Sequence, residues 1–294
     1  MEALMNWKVA GMAGTALLTI ALSGVGAVAG ANKFSGNISL AVGQTFQDDE
    51  LGVFDESFAS ISGETKLNVA FSNNINLQLD FAGVASFADS TIDDLDRDSG
   101  VQGAAHVYYR TDKYAVGVVG GVGVSSGVTY VPASADYYFV GAEGQYYLNN
   151  ITIGLNAGFL DSSTDVAGAE DLFLSDAWYV GGEVRYYANE KTTVSANLGY
   201  ISGEADFGSL DVDTLHWGAK VEYKPEAKEP LSLWVAYEGR STEAEAVGFS
   251  ADKDTHTIKI GVTFSFGAEG TKMEQDRSGP SFNQMDYGAI VVGG

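Results

Sequence analysis

The sequence predicts an all-β fold, a transmembrane antiparallel up-and-down β-barrel of about twelve strands, with ten to fourteen compatible with the spacing. Three observations predict it. Apolar and polar residues alternate with period two along most of the chain after residue 31, the pattern of a strand with one face in an apolar medium and one in a polar medium. The connections between such segments alternate between short and long, as in a membrane barrel with tight turns on one side and longer loops on the other. The acidic residues collect in the long connections.

Twelve segments carry the alternation: 35–46, 57–71, 75–87, 101–110, 114–124, 136–148, 150–160, 176–188, 191–202, 213–224, 231–240 and 255–266. In the third, Ile75, Leu77, Leu79 and Phe81 alternate with Asn76, Gln78 and Asp80. The seventh (Ile151-Thr152-Ile153-Gly154-Leu155-Asn156) and the twelfth (Ile258 to Phe266) repeat the same rule. Ser72-Asn73-Asn74, Thr111-Asp112-Lys113, Asn149-Asn150, Asn189-Glu190 and Pro225 to Pro230 have hairpin-turn chemistry, because Asn, Asp and Gly tolerate the left-handed backbone that tight turns need. The other connections are 47–56, 88–100, 125–135, 161–175, 203–212 and 241–254. Counted with their immediate flanks, they hold 24 Asp and Glu against Arg97 and Lys253, which is −22 of the chain's net −23. The charge therefore sits at one end of the expected barrel. There it sets up a field at the mouth.

The N-terminus has the form of a signal peptide over residues 1–29. Lys8 precedes an uncharged run through Val28, and Ala27-Val28-Ala29 is an A-x-A cleavage pattern, with Ala29-Gly30-Ala31 a second one. A membrane anchor is the competing reading of that run. The chain has no cysteine, which excludes disulfides and thiolate metal sites. Its acidity argues against nucleic acid as a partner, since phosphate binding needs Lys and Arg.

Gly141 to Tyr147 and Gly181 to Tyr187 are similar to each other, and Gly218 to Tyr223 and Gly103 to Tyr109 are looser copies. Each ends just before a short turn, so the hairpin is the repeating unit. Tyr146, Tyr186 and Tyr223 fall on the apolar parity beside the turn, where an interfacial aromatic girdle is expected. Phe264 and Phe266 end the apolar face of the last segment, which should close the barrel on residues 37–44, because an open sheet edge in lipid leaves backbone groups unsatisfied.

Ile260-Gly261-Val262-Thr263-Phe264-Ser265-Phe266 resembles the last-strand assembly signal of Gram-negative outer-membrane β-barrels. Residues 32–266 as a whole resemble the porin-type class of these barrels. The same strand is similar to the last strand of the outer-membrane protein A barrel, after which more chain follows. The resemblance implies the Gram-negative outer membrane, with outer-membrane lipids and lipopolysaccharide, the barrel-assembly machinery, and small hydrophilic solutes or cations as partners. Most porins end at that aromatic, whereas this chain continues to Gly294. The tail, 267–294, is too short for a domain and is expected to be periplasmic or disordered.

Parity places Glu64, Asp80, Glu143, Glu183, Glu222 and Glu238 on the inner face with Lys66, Arg185, Lys220, Lys224, Arg240 and Lys259. Eleven of these, all but Lys224, are the candidate pore-lining residues. For 104–110 the evidence conflicts: alternation puts Val107 and Tyr109 outside, while the repeat puts Tyr108 there. Asp94, Asp96 and Asp98 resemble the start of a calcium loop, but Gly100 falls at position seven and Ala105 at position twelve. They could hold Ca²⁺ or Mg²⁺ only as a weak surface site, and no other cofactor is implied. His106, His216 and His256 each stand alone in the sequence, and no HExxH, P-loop or GxSxG motif occurs. The expected function is passive diffusion of small hydrophilic solutes, biased to cations, without catalysis. The alternatives are a structural or surface-interaction barrel with cation-binding acidic loops and, more remotely, a barrel-embedded hydrolase.

Overall fold

The structure, a computed structural model, describes residues 33–49, 57–71, 73–87, 97–128, 132–163, 173–205, 210–226, 229–246, 249–268 and 270–291. The signal-peptide residues, Asp94 and Asp96 lie outside them. Twelve strands run in order: β1 (Lys33–Asp49), β2 (Ser57–Ala70), β3 (Ile75–Phe87), β4 (Arg97–Arg110), β5 (Tyr114–Val128), β6 (Pro132–Leu148), β7 (Ile151–Ser163), β8 (Ser175–Tyr187), β9 (Thr192–Ala205), β10 (Leu210–Tyr223), β11 (Leu231–Ala246) and β12 (Phe249–Phe266). Each pairs antiparallel with its sequence neighbour, and β1 pairs with β12 to close the barrel. The seam takes in residues 37–44 of β1, as expected, with Ile38 opposite Phe264, Leu40 opposite Val262 and Val42 opposite Ile260.

The outer face is apolar along the barrel. Leu155, Phe159, Val122 and Ile260 are each more than 60% exposed, which suits lipid and would be an aggregation surface in water. Tyr146, Tyr186, Tyr223 and Phe264 project outward and are exposed. Phe266 is half-buried, its ring 5.8 Å from that of Phe34.

At the turn end, Asn74 and Asn149 take positive φ (66° and 44°), the conformation for which Asn is suited. At the loop end the strands outrun the alternation. The expected connection 241–254 is mostly ladder, since β11 continues to Ala246 and β12 starts at Phe249, with Glu243 opposite Asp252. β5, β6 and β9 also extend beyond the expected limits. The reason is that backbone pairing does not need an apolar face. About nine to eleven residues cross the bilayer core, and β12 has 18. Beyond the core both faces can be polar, so alternation fades before the hydrogen bonds do.

The tail departs from expectation most. Gly267 (φ 73°) reverses the chain at the end of β12, where a side chain would collide with the Phe34 carbonyl. The chain then enters the barrel. Helix α1 (Lys272–Ser278) begins at a capping box, with Glu274 N donating to Thr271 Oγ1 and Thr271 N donating to Glu274 Oε2. An extended segment follows, then the single turn α2 (Tyr287–Val291). Tyr287, Ile290 and Val291 join a buried cluster with Phe139, Leu160, Tyr179, Ile201 and Val212, residues from β6 to β10. Described residues of the tail are thus an interior plug and not a periplasmic or disordered extension. Composition hid this, because the segment is mostly polar up to Asp286 and its partners are scattered over the inner faces of several strands.

Candidate functional site: the barrel interior

The inner faces divide the lumen between the tail and open space. Along β5 the inward residues are Ala115, Gly117, Val119, Gly121, Gly123 and Ser125. A methyl at Gly117, Gly121 or Gly123 would collide with Tyr108, Phe139 or Tyr137, respectively. The Phe139 and Tyr137 rings of β6 therefore lie across β5, and with Tyr108 of β4, whose hydroxyl donates to Asn68 of β2, they form a floor for the tail. Phe282 packs edge-on against Tyr108 at 4.9 Å, and Tyr287 lies 4.4 Å from Phe139 and 5.1 Å from Tyr179.

Three glutamines hold the tail backbone. Gln78 Nε2 donates to Phe282 O (2.9 Å), and its Oε1 accepts from Ser281 N (2.8 Å) and Phe282 N (3.3 Å). Gln145 Nε2 donates to Ser281 O (2.8 Å), and Ser281 Oγ donates back to Gln145 Oε1 (2.6 Å). Gln102 Nε2 donates to Met285 O (3.0 Å), and its Oε1 accepts from Tyr287 N (3.3 Å). Lys66 and Arg110 donate to Phe282 O and Gly279 O (3.2 and 2.6 Å), and Arg240 donates to Ala289 O.

Helix α1 anchors the turn end. Arg277 donates to Asn149 O and Ile151 O at 2.8 Å each, and Lys224 Nζ donates to Gln275 Oε1 at 2.9 Å. Lys272 bridges Glu222 (3.1 Å) and Asp276 (2.9 Å). Burial opposes its charge, but Asp276 and Glu222 outweigh that and hold the ammonium above the usual lysine range. The Thr271 N–H and hydroxyl hold the Glu274 carboxyl below its ordinary range.

All eleven candidate pore-lining residues face the interior. Glu64, Lys66, Asp80, Glu143, Glu183, Lys220, Glu238, Arg240 and Lys259 border a cavity of about 470 Å³, whose opposite wall is the tail from Phe282 to Asp286. Arg185 and Glu222 border a smaller space of about 70 Å³ nearer α1. Lys66–Glu64 (3.1 Å), Arg185–Glu183 (2.7 Å) and Lys220–Glu222 (3.3 Å) pair two residues apart on one strand, where same-face neighbours are within reach of long side chains. Lys259–Glu238 (2.5 Å) pairs across β11 and β12. Lys224 is buried beside α1.

The ambiguous stretch of β4 follows alternation. Val107 and Tyr109 are exposed outside, while His106 and Tyr108 are fully buried inside. His106 is not alone, as the sequence suggested. Its Nε2 is 3.3 Å from Asp80, its Nδ1 is 2.9 Å from Glu143, and Phe282 stacks over it. His256 meets the Tyr237 hydroxyl at 2.8 Å on the outer face, and His216 borders the cavity. Asp98 falls at a register irregularity near the start of β4. Among the described residues no group of three or more acidic or histidine side chains is arranged to hold a metal ion.

Gln78, Gln102 and Gln145, which grip the tail, were missed in the sequence as functional residues. The signal available was the row of small inward residues on β5, which leaves room for something else to fill.

No protein-family model and no curated protein sequence matches the chain. An outer-membrane channel from Pseudomonas putida F1 superposes with a TM-score of 0.51 at 14% identity, over 80% of this chain and 96% of that one. The KdgM porin in complex with disordered oligogalacturonate gives 0.43 at 13% identity, over 78% and 99%. The Pseudomonas putida toluene transporter TodX gives 0.39 at 10% identity, over 80% and 89%. Likeness at such identities is likeness of fold. The chain has the fold of outer-membrane β-barrel channels.

Proposed function

We propose that this protein is a diffusion channel for small hydrophilic solutes in the outer membrane of a Gram-negative bacterium, narrowed by its own tail and biased to cations. The observation that carries this reading is the cavity of about 470 Å³ that runs beside the tail, charged on its wall, within a barrel whose outside is apolar. Twelve strands stand between eight-stranded barrels filled by side chains and sixteen-stranded barrels with an aqueous channel. A tail occupying part of such a lumen leaves a narrow polar path. Passage needs no covalent step: size and charge at the constriction select what crosses. The cation bias rests on the −22 carried by the loop-end segments and their flanks. Outer-membrane lipids and lipopolysaccharide, and the assembly machinery acting on the last strand, are the partners this reading supplies. Divalent ions at the acidic loops remain part of the same proposal.

The tail's occupancy favours a second reading, a closed barrel that serves as a structural or surface-interaction element. Planar-bilayer recording of the purified full chain separates the two. Stepwise single-channel currents support the channel; a protein that is inserted and heat-modifiable but silent overturns it.

A further inference from the structure

We infer that the inner wall of β3, β4 and β6 is a binding site for an extended peptide, which the tail occupies in cis. The inference goes beyond the channel reading, and the binding site does not depend on conduction.

The contacts to the tail are those of peptide recognition. Gln78 and Gln102 each present an amide N–H to a tail carbonyl and an amide oxygen to a tail N–H, while Gln145 takes the Ser281 carbonyl and hydroxyl. A side-chain amide that donates and accepts at once reproduces the pairing of a neighbouring strand. Such pairing reads the backbone and leaves most side chains of the guest unread. Lys66 and Arg110 add charged donors to the Phe282 and Gly279 carbonyls. Gln78 is fully buried, and Gln102 and Gln145 are nearly so, so their bonds to the tail are made out of water, where a hydrogen bond is electrostatically stronger.

Two aromatic side chains of the tail are the anchors, beside the polar contacts of Ser281 with Gln145 and of Asn283 with Lys66 and Glu183. Phe282 sits against Tyr108 and Tyr147, and Tyr287 sits between Phe139 and Tyr179. The glycines of β5 make room for that aromatic floor. The site therefore selects an extended chain with aromatic residues five positions apart. A plug held only by shape or by ion pairs would not need donors and acceptors matched to consecutive peptide groups.

The test uses the full chain, folded intact, with a protease site inserted between Gly267 and Ala268 and cut after folding. A fluorescein-labelled peptide of residues 279–291 is added, and fluorescence anisotropy follows its binding. The expected result is saturable uptake into the cut protein and little into the uncut one. A peptide with Gln284 changed to Ala should bind within a few-fold. Changing Phe282 and Tyr287 to Ala should weaken binding by about tenfold or more, the scale of losing buried aromatic anchors. Gln78→Leu with Gln145→Leu in the barrel should weaken every peptide alike.

A severed tail that dissociates too slowly would mask uptake. The uncut full chain carrying Phe282→Ala and Tyr287→Ala weakens its own tail and must then take up the wild-type peptide. Absence of uptake in both proteins, while each stays heat-modifiable, overturns the site. So does equal uptake of the peptide lacking both aromatics. Uptake without single-channel current refutes the channel and leaves the peptide site standing. Current in the uncut protein without uptake in either variant refutes the peptide site and leaves the channel standing.

Discussion

Between β3 and β8 the inner wall carries the small residues of β5, aromatic rings and the glutamines Gln78, Gln102 and Gln145, and the tail lies on it. From β9 through β12 to β2 the inner wall is lined by Lys220, Glu238, Arg240, Lys259 and Glu64 and borders the main cavity. Both halves have continuous antiparallel ladders and outward apolar residues. The difference shows that a barrel wall does not need a packed interior: backbone pairing and the surrounding apolar medium can hold it. The interior is then free to be filled on one side and wet on the other. It also shows two ways to satisfy inward polar groups. Gln78, Gln102 and Gln145 use peptide groups of the tail; Lys220 and Lys259 use ion pairs with Glu222 and Glu238 of the wall.

The largest expected effect strikes the wall itself, at the seam in the cavity half. Phe264→Asp with Phe266→Asp removes the two terminal aromatics of the closing strand and places charges on its outer face, where a charge near the interface costs up to about 1 kcal/mol. The chain should remain uninserted and be degraded. Outer-membrane fractionation and the mobility of unboiled samples on gels read this out. Normal insertion would mean that β12 does not carry the closing signal.

Truncation after Gly267 removes the filling and leaves both walls. The barrel should still insert and be heat-modifiable, with single-channel conductance raised by about threefold or more as the lumen approaches that of an unplugged barrel. Loss of insertion would mean that the tail half does depend on its filling, contrary to the comparison.

Tyr287→Ala removes one anchor of the filling. Buried aromatic-to-Ala changes cost about 3–5 kcal/mol, and here that cost should fall on tail docking and not on the wall. Amide exchange should quicken in residues 279–291 and stay slow in β3–β8. Equal quickening in the strands would show that the tail and wall form one cooperative unit.

The smallest effect concerns the cavity half. Lys259→Met removes one wall cation and frees Glu238, so reversal potentials in a KCl gradient should shift toward cations by a few millivolts. The bias should shrink as the Debye length falls from about 10 Å at 0.1 M salt to about 3 Å at 1 M. A shift toward anions would place the selective charges elsewhere than in this cavity.

Strand number, order and facing were legible in the sequence because each is a local property. Period-two alternation states which residues face lipid, and Asn149 and its counterparts mark the turns. Even the ambiguous stretch of β4 obeyed alternation, and the repeat misled because its copy is offset by one residue at Tyr108. The strand ends at the loop side were not legible, since pairing such as Glu243 opposite Asp252 leaves no apolar trace outside the bilayer.

By itself the sequence determined a twelve-stranded barrel, its apolar outside, its inward charges and its aromatic ends. These follow from single-strand patterns, which a chain carries whatever its neighbours do. Only the tertiary structure decided that the tail turns inward at Gly267, that Gln78, Gln102 and Gln145 grip it, and that His106 lies between Asp80 and Glu143. Each of these joins residues of different strands, or of the wall and the tail, more than 25 positions apart. Their contact is set by the curvature and stagger of the closed sheet, which no local pattern records.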